Sequence, residues 1–91
     1  MKGHIAPEQL EATRQLVGTW LRDKRERKGL SQAALANLMG IRFETVSKVE
    51  AGKWAISVDM LALFCEHLEC PLDQIFIVET STVDLDQENN N

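Results

Sequence analysis

The sequence predicts a single all-α domain, a compact bundle of five short helices with an extended first helix. Apolar residues recur at helical spacing along most of the chain, and no alternating run is long enough to build a sheet. Helix-stop glycines and serine caps punctuate it at short intervals. At 91 residues, 44% hydrophobic and 26% charged, the chain fits one domain, since chains divide only above roughly 250 residues.

Pro7 suits a first helical position, and Glu8 is favourable at the positive end of the helix dipole. Leu10, Leu16, Val17, Trp20 and Leu21 share one side of the wheel, so a first helix is expected to run to Lys28, with Gly29 as its stop. Ser31 reads as the N-cap of a second helix through Met39, with Leu35 and Leu38 pointing inward, and Gly40 closes it. A third helix follows Ile41. Val46 and Val49 share its inner side, while Phe43, Glu44, Ser47, Lys48 and Ala51 share the opposite arc. Gly52 ends it. Ser57 caps a fourth helix carrying Met60, Leu61, Phe64 and Leu68, and Pro71 opens a fifth with Leu72, Ile75 and Phe76. Trp20, Trp54 and Ile56 read as core or core-edge residues. Ile77 and Val78 extend the packed part, and residues 79–91 read as a disordered acidic tail.

The net charge of −4 speaks against a plain nucleic-acid binder, but the charge is unevenly placed. Arg22 to Lys53 carries eight basic residues against Asp23, Glu26, Glu44 and Glu50, whereas Trp54 to Asn91 carries eight acids and no Lys or Arg. That asymmetry suits an anionic partner for the middle of the chain; charge alone equally suits two solvated faces. The start is no signal peptide, and no stretch approaches the ~20 apolar residues of a membrane span, so a cytoplasmic protein is expected. Cys65, His67 and Cys70 invite a metal reading. Cys65 and His67, however, point about 200° apart on a helix, and Cys65 reads better as a small buried hydrophobe. No nucleophile–base pair or glycine-rich phosphate loop is present, so neither enzymatic activity, metal nor cofactor is expected.

Two short helices joined by a turn at Gly40 make a helix-turn-helix. The frame that surrounds them is specific: Leu21, Arg22, Arg25, Gly29, Leu30, Ser31 and Gln32; then Leu35, Ala36 and Gly40; then Val46, Ser47, Glu50, Gly52 and Lys53; then Leu72, Asp73, Ile75 and Phe76. With these spacings the stretch Leu21 to Phe76 resembles the Cro/phage-repressor and xenobiotic-response-element type helix-turn-helix family. The resemblance implies a lambda-repressor-like DNA-binding domain over residues 17–78, preceded by an extension, residues 1–16, that continues into the first helix. It also implies a sequence-specific transcription regulator whose third helix, about 42–51, enters the major groove. An antitoxin-like or adapter module of the same fold, binding a partner protein, is the alternative.

Under the resemblance Arg42, Phe43, Glu44, Ser47 and Lys48 are the base readers. Arg42 or Lys48 can donate to guanine, Glu44 can accept from the cytosine amine, and Phe43 can lie on a thymine methyl. Phe43 also fits a protein contact. Ser31 and Gln32, at a helix start with free backbone N–H groups, and Lys53 are the expected phosphate contacts. Arg25 and Glu50 stand where the family has an ion pair between the first and third helices, a structural role. Arg42 departs from the usual Ser or Thr cap, which weakens the third helix by ~1 kcal/mol and sets a cation at its positive end. Ala51 replaces a frequent Asn. One helix-turn-helix reads only a half-site, so a homodimer on double-stranded DNA is expected, with a protein partner as a further possibility.

Overall fold

The computed structural model describes residues 7–74. Among the described residues there are four helices and no strand: α1 (Pro7–Arg27), α2 (Gln32–Met39), α3 (Phe43–Glu50) and α4 (Val58–Leu68). The helix α1 has 21 residues, hence a length of about 31 Å. It lies against α3 and α4, and α2 packs on both α3 and α4. All-helical architecture is therefore as expected. Of the expected fifth helix only a turn is described, in which Gln74 N–H donates to the Pro71 carbonyl (3.1 Å) and Leu72 packs on the core. Ile75, Phe76, the Ile77-Val78 pair and the acidic tail lie outside the described residues, as do residues 1–6.

Local chemistry sets each boundary. Ser31 Oγ accepts from Ala34 N–H at 3.0 Å, and Ser57 Oγ accepts from Met60 N–H at 3.0 Å, so both serines cap the helices that follow them. All four helices close in one manner, a double hydrogen bond of the Schellman type: Leu30 to Arg25, Ile41 to Ala36, Lys53 to Lys48 and Cys70 to Cys65 are the outer bonds. A left-handed residue sits in each closure. It is glycine in three, and in α4 it is Glu69 (φ 57°), which pairs with Lys28 across the surface.

Leu21, Leu35, Val46 and Phe64 form the fully buried centre, with Trp20, Ala36, Met39, Val49, Cys65 and Leu68 around them. Four expectations need correction. Leu38 does not point inward; it is 56% exposed. The buried residues of α2 are Leu35, Ala36 and Met39, and Leu38 lies roughly 100° from the middle of that face. Trp54 is not a core residue: it is 43% exposed, because the chain doubles back after Gly52 and lays the ring along the outside of α3. Leu10, near the start of α1, is likewise exposed, and α1 ends at Arg27 rather than Lys28.

Candidate nucleic-acid interface

The two faces of α3 differ in kind. Val46, Val49 and Glu50 are buried against the bundle. On the opposite side Phe43, Glu44 and Lys48 are exposed, Ser47 is half-buried, and Arg42 is exposed at the N-cap. Four of the residues read as base readers, Phe43, Glu44, Ser47 and Lys48, thus share the outward side of α3, and the fifth, Arg42, is exposed at its N-terminal end. Arg42 takes extended backbone angles (φ −75°, ψ 146°) and makes no side-chain cap bond. Its guanidinium therefore stays available outside the helix.

Behind that surface a buried polar network fixes the orientation of α3. Arg25 Nε donates to Glu50 Oε2 at 2.7 Å and Arg25 Nη2 donates to Glu50 Oε1 at 2.9 Å, a two-point grip of the kind a guanidinium fork makes with a carboxylate. Arg25 Nη1 also donates to the Leu30 carbonyl at 2.6 Å. The hydrogen bond to Glu50 outweighs the loss of solvent and holds the Arg25 pKa above its ordinary value. Both residues are buried, and no buried side-chain polar atom is left without a partner among the described residues. The expected ion pair is present, and its geometry ties α1 to α3.

The network extends to the predicted phosphate residues. Gln32 Nε2 donates to Glu50 Oε1 at 2.9 Å. An amide nitrogen has two hydrogens, so the grip fixes the Gln32 side chain and leaves its second N–H to a ligand. The Ser31 oxygen is engaged as a cap acceptor, and its hydroxyl proton stays available. Lys53 is exposed immediately beyond the closure of α3. Gln32, Ser31 and Lys53 thus flank the start of α2 and the end of α3.

Two residues that the sequence reading did not assign to the site help to build it. Gly18 brings α1 against the end of α3, which a glycine inside an otherwise regular helix could have signalled. Trp54 lies under Lys48, whose Nζ is 4.9 Å from the ring centroid. Elsewhere, Cys65 faces the core, where burial and the neighbouring Cys70 thiol push its pKa up to about 12. His67 Nδ1 is bonded to the Leu63 carbonyl. No described helix is long and apolar enough to cross a membrane.

Residues 21–75 match the helix-turn-helix family HTH_3. The chain belongs to this family. No curated protein matches it in sequence. Among solved structures, the restriction-modification controller protein C.AhdI from Aeromonas hydrophila is 31% identical with a TM-score of 0.67, over 70% of this chain and 97% of that one. The clp gene regulator ClgR from Corynebacterium glutamicum is 26% identical with a TM-score of 0.70, over 80% and 95% of the two chains. A hypothetical transcription factor, NHTF, from Neisseria is 27% identical with a TM-score of 0.67, over 82% and 84%. The HTH_3 match begins at Leu21, so the segment of α1 from Pro7 to Trp20 stands ahead of it.

Proposed function

We propose that the chain is a sequence-specific DNA-binding transcription regulator, with α3 entering the major groove. The observation that carries this reading is the division of α3 into a face locked to α1 by Arg25 and Glu50 and an open face bearing Phe43, Glu44, Ser47 and Lys48, with Arg42 exposed at its N-terminal end. A short helix held rigidly from behind, with donors, an acceptor and an apolar ring in front, has the groups that reading base edges requires. Ser31, Gln32 and Lys53 contact the flanking phosphates, which fix register without reading sequence. The family membership and the similarity to a restriction-modification controller protein and a clp gene regulator support the same reading.

The chain works without catalysis, in the cytoplasm, by occupying a site on DNA. It acts as a homodimer, so that two copies of α3 meet half-sites about 34 Å apart on one side of the duplex. Glu44 repels phosphate, so it lowers non-specific affinity while favouring sites that place a cytosine amine opposite it.

The test is selection from a random duplex library by the full chain at two salt concentrations, beside the Lys48→Ala/Lys53→Ala variant. Enrichment of one inverted repeat, weakened by salt and lost in the variant, supports the reading. A folded wild-type chain that enriches nothing would overturn it and direct the search to a protein partner.

A further inference from the structure

We propose that Trp54 is a positioning residue for DNA reading: its indole ring pre-orders the Lys48 ammonium on the open face of α3 and thereby sharpens base choice under Lys48. The proposal rests on the function proposed above and adds to it a residue and a role.

The placement begins in the backbone. Lys53 N–H donates to the Lys48 carbonyl at 2.9 Å and Gly52 N–H donates to the Val49 carbonyl at 3.0 Å, so the chain reverses tightly at the end of α3. Gly52 has φ 75°, and a Cβ there would lie 2.6 Å from Gln15 Cγ and 2.9 Å from Gln15 Cα. The turn is therefore pressed against α1, and it returns Trp54 alongside Lys48, one helical turn back. The ring also forms one wall of a cleft of about 260 Å³ whose other walls include Leu10 and Val17 of α1 and Ile56. A ring that is 43% exposed has a π-face free to hold a cation.

Lys48 uses that face. Its Nζ lies 4.9 Å from the ring centroid, within the roughly 6 Å over which an ammonium is attracted to an aromatic ring. Glu44 stands four residues earlier on the same face, the usual spacing for a helical ion pair, yet no ion pair joins the two. Holding Lys48 on the indole keeps the Glu44 carboxylate open as an acceptor. Lysine has a flexible four-carbon stem, so an ammonium held near its working position loses less freedom when DNA arrives.

The experiment uses the duplex that the full wild-type chain prefers and compares Trp54→Ala, Trp54→Leu, Lys48→Met and the Trp54→Leu/Lys48→Met double variant. Trp54→Leu keeps an apolar side chain at the cleft wall while removing the π-face, and thermal melting confirms that each variant is folded. Loss of the ring is expected to weaken binding about 2- to 5-fold. It should flatten base preference only at the positions that Lys48→Met also flattens, and have no further effect in the Lys48→Met background. Trp54→Leu binding as wild type or more tightly would overturn the proposal, as would a loss that persists in full in the double variant. A wild-type chain that selects no duplex overturns the function itself; a selective wild type with an unaltered Trp54→Leu overturns only the role of Trp54.

Discussion

Gly18 in α1 meets the carbonyl of Val49 in α3 so closely that a Cβ at Gly18 would lie 2.5 Å from that oxygen, with the Glu50 oxygen at 2.6 Å. The neighbours are backbone atoms, so no side chain can swing aside. Gly18→Ala would gain up to about 1 kcal/mol of helix propensity, but overpacking typically costs about 1–3 kcal/mol. The expected outcome is net destabilisation, with a lower melting temperature, and DNA affinity reduced because α3 is displaced. Thermal unfolding followed by circular dichroism checks it. Unchanged or raised stability would show that the two helices can part without loss.

The Arg25 and Glu50 pair makes a second prediction. Removing one partner leaves a buried charge, so Arg25→Met or Glu50→Leu alone is expected to cost about 3–5 kcal/mol. The double substitution replaces both charges with apolar groups and should recover most of that loss. Denaturant unfolding of the four proteins measures the coupling. Equal losses in the single and double variants would contradict it.

Gln32 and Lys53 should separate stability from binding. Gln32 shares Glu50 with Arg25, so Gln32→Ala is expected to lower stability by about 1 kcal/mol and also to weaken DNA binding. Lys53 is exposed, so Lys53→Ala should leave stability within about 0.5 kcal/mol. It should reduce the slope of log affinity against log salt by about 0.9. An unchanged slope would remove Lys53 from the phosphate contacts.

The cysteines differ in reactivity for a physical reason. Cys65 is buried, with its pKa pushed up to about 12, so its thiol stays neutral and shielded near neutral pH. Iodoacetamide at neutral pH should modify Cys70, which is only half-buried, and reach Cys65 only in denaturant. Because the folded state holds the Cys65 proton more tightly than the unfolded chain, this contribution to stability is complete below the ordinary thiol range. It is lost as pH rises toward about 12. Equal labelling of both cysteines in the folded chain would contradict the burial.

Much of this was legible in the residues because the determining chemistry is local. Ser31 and Ser57 cap, Gly29, Gly40 and Gly52 stop, and Val46 and Val49 share one side of α3. The open face of α3 follows from the same periodicity. What escaped depends on tertiary contact. Leu35 and Leu38 share a plausible inward spacing, yet the eight residues of α2 bury Leu35, Ala36 and Met39, a selection made by where α3 and α4 lie. Trp54 reads as a core or core-edge residue because it is a large aromatic, and the reversal at Gly52 leaves it 43% exposed beside Lys48. Gln32 reads as a phosphate contact at a helix start, and its bond to Glu50 could not be foreseen because it exists only once α1 and α3 have brought the carboxylate there.

The most direct test of the account is the base-preference profile of Glu44→Ala compared with that of Lys53→Ala and of the wild-type chain. If the open face of α3 reads base edges, Glu44→Ala relaxes preference at a confined position in each half-site, whereas Lys53→Ala lowers affinity evenly across all sequences. A Glu44→Ala profile that matches wild type at every position, from a folded protein, would contradict the placement of α3 in the major groove.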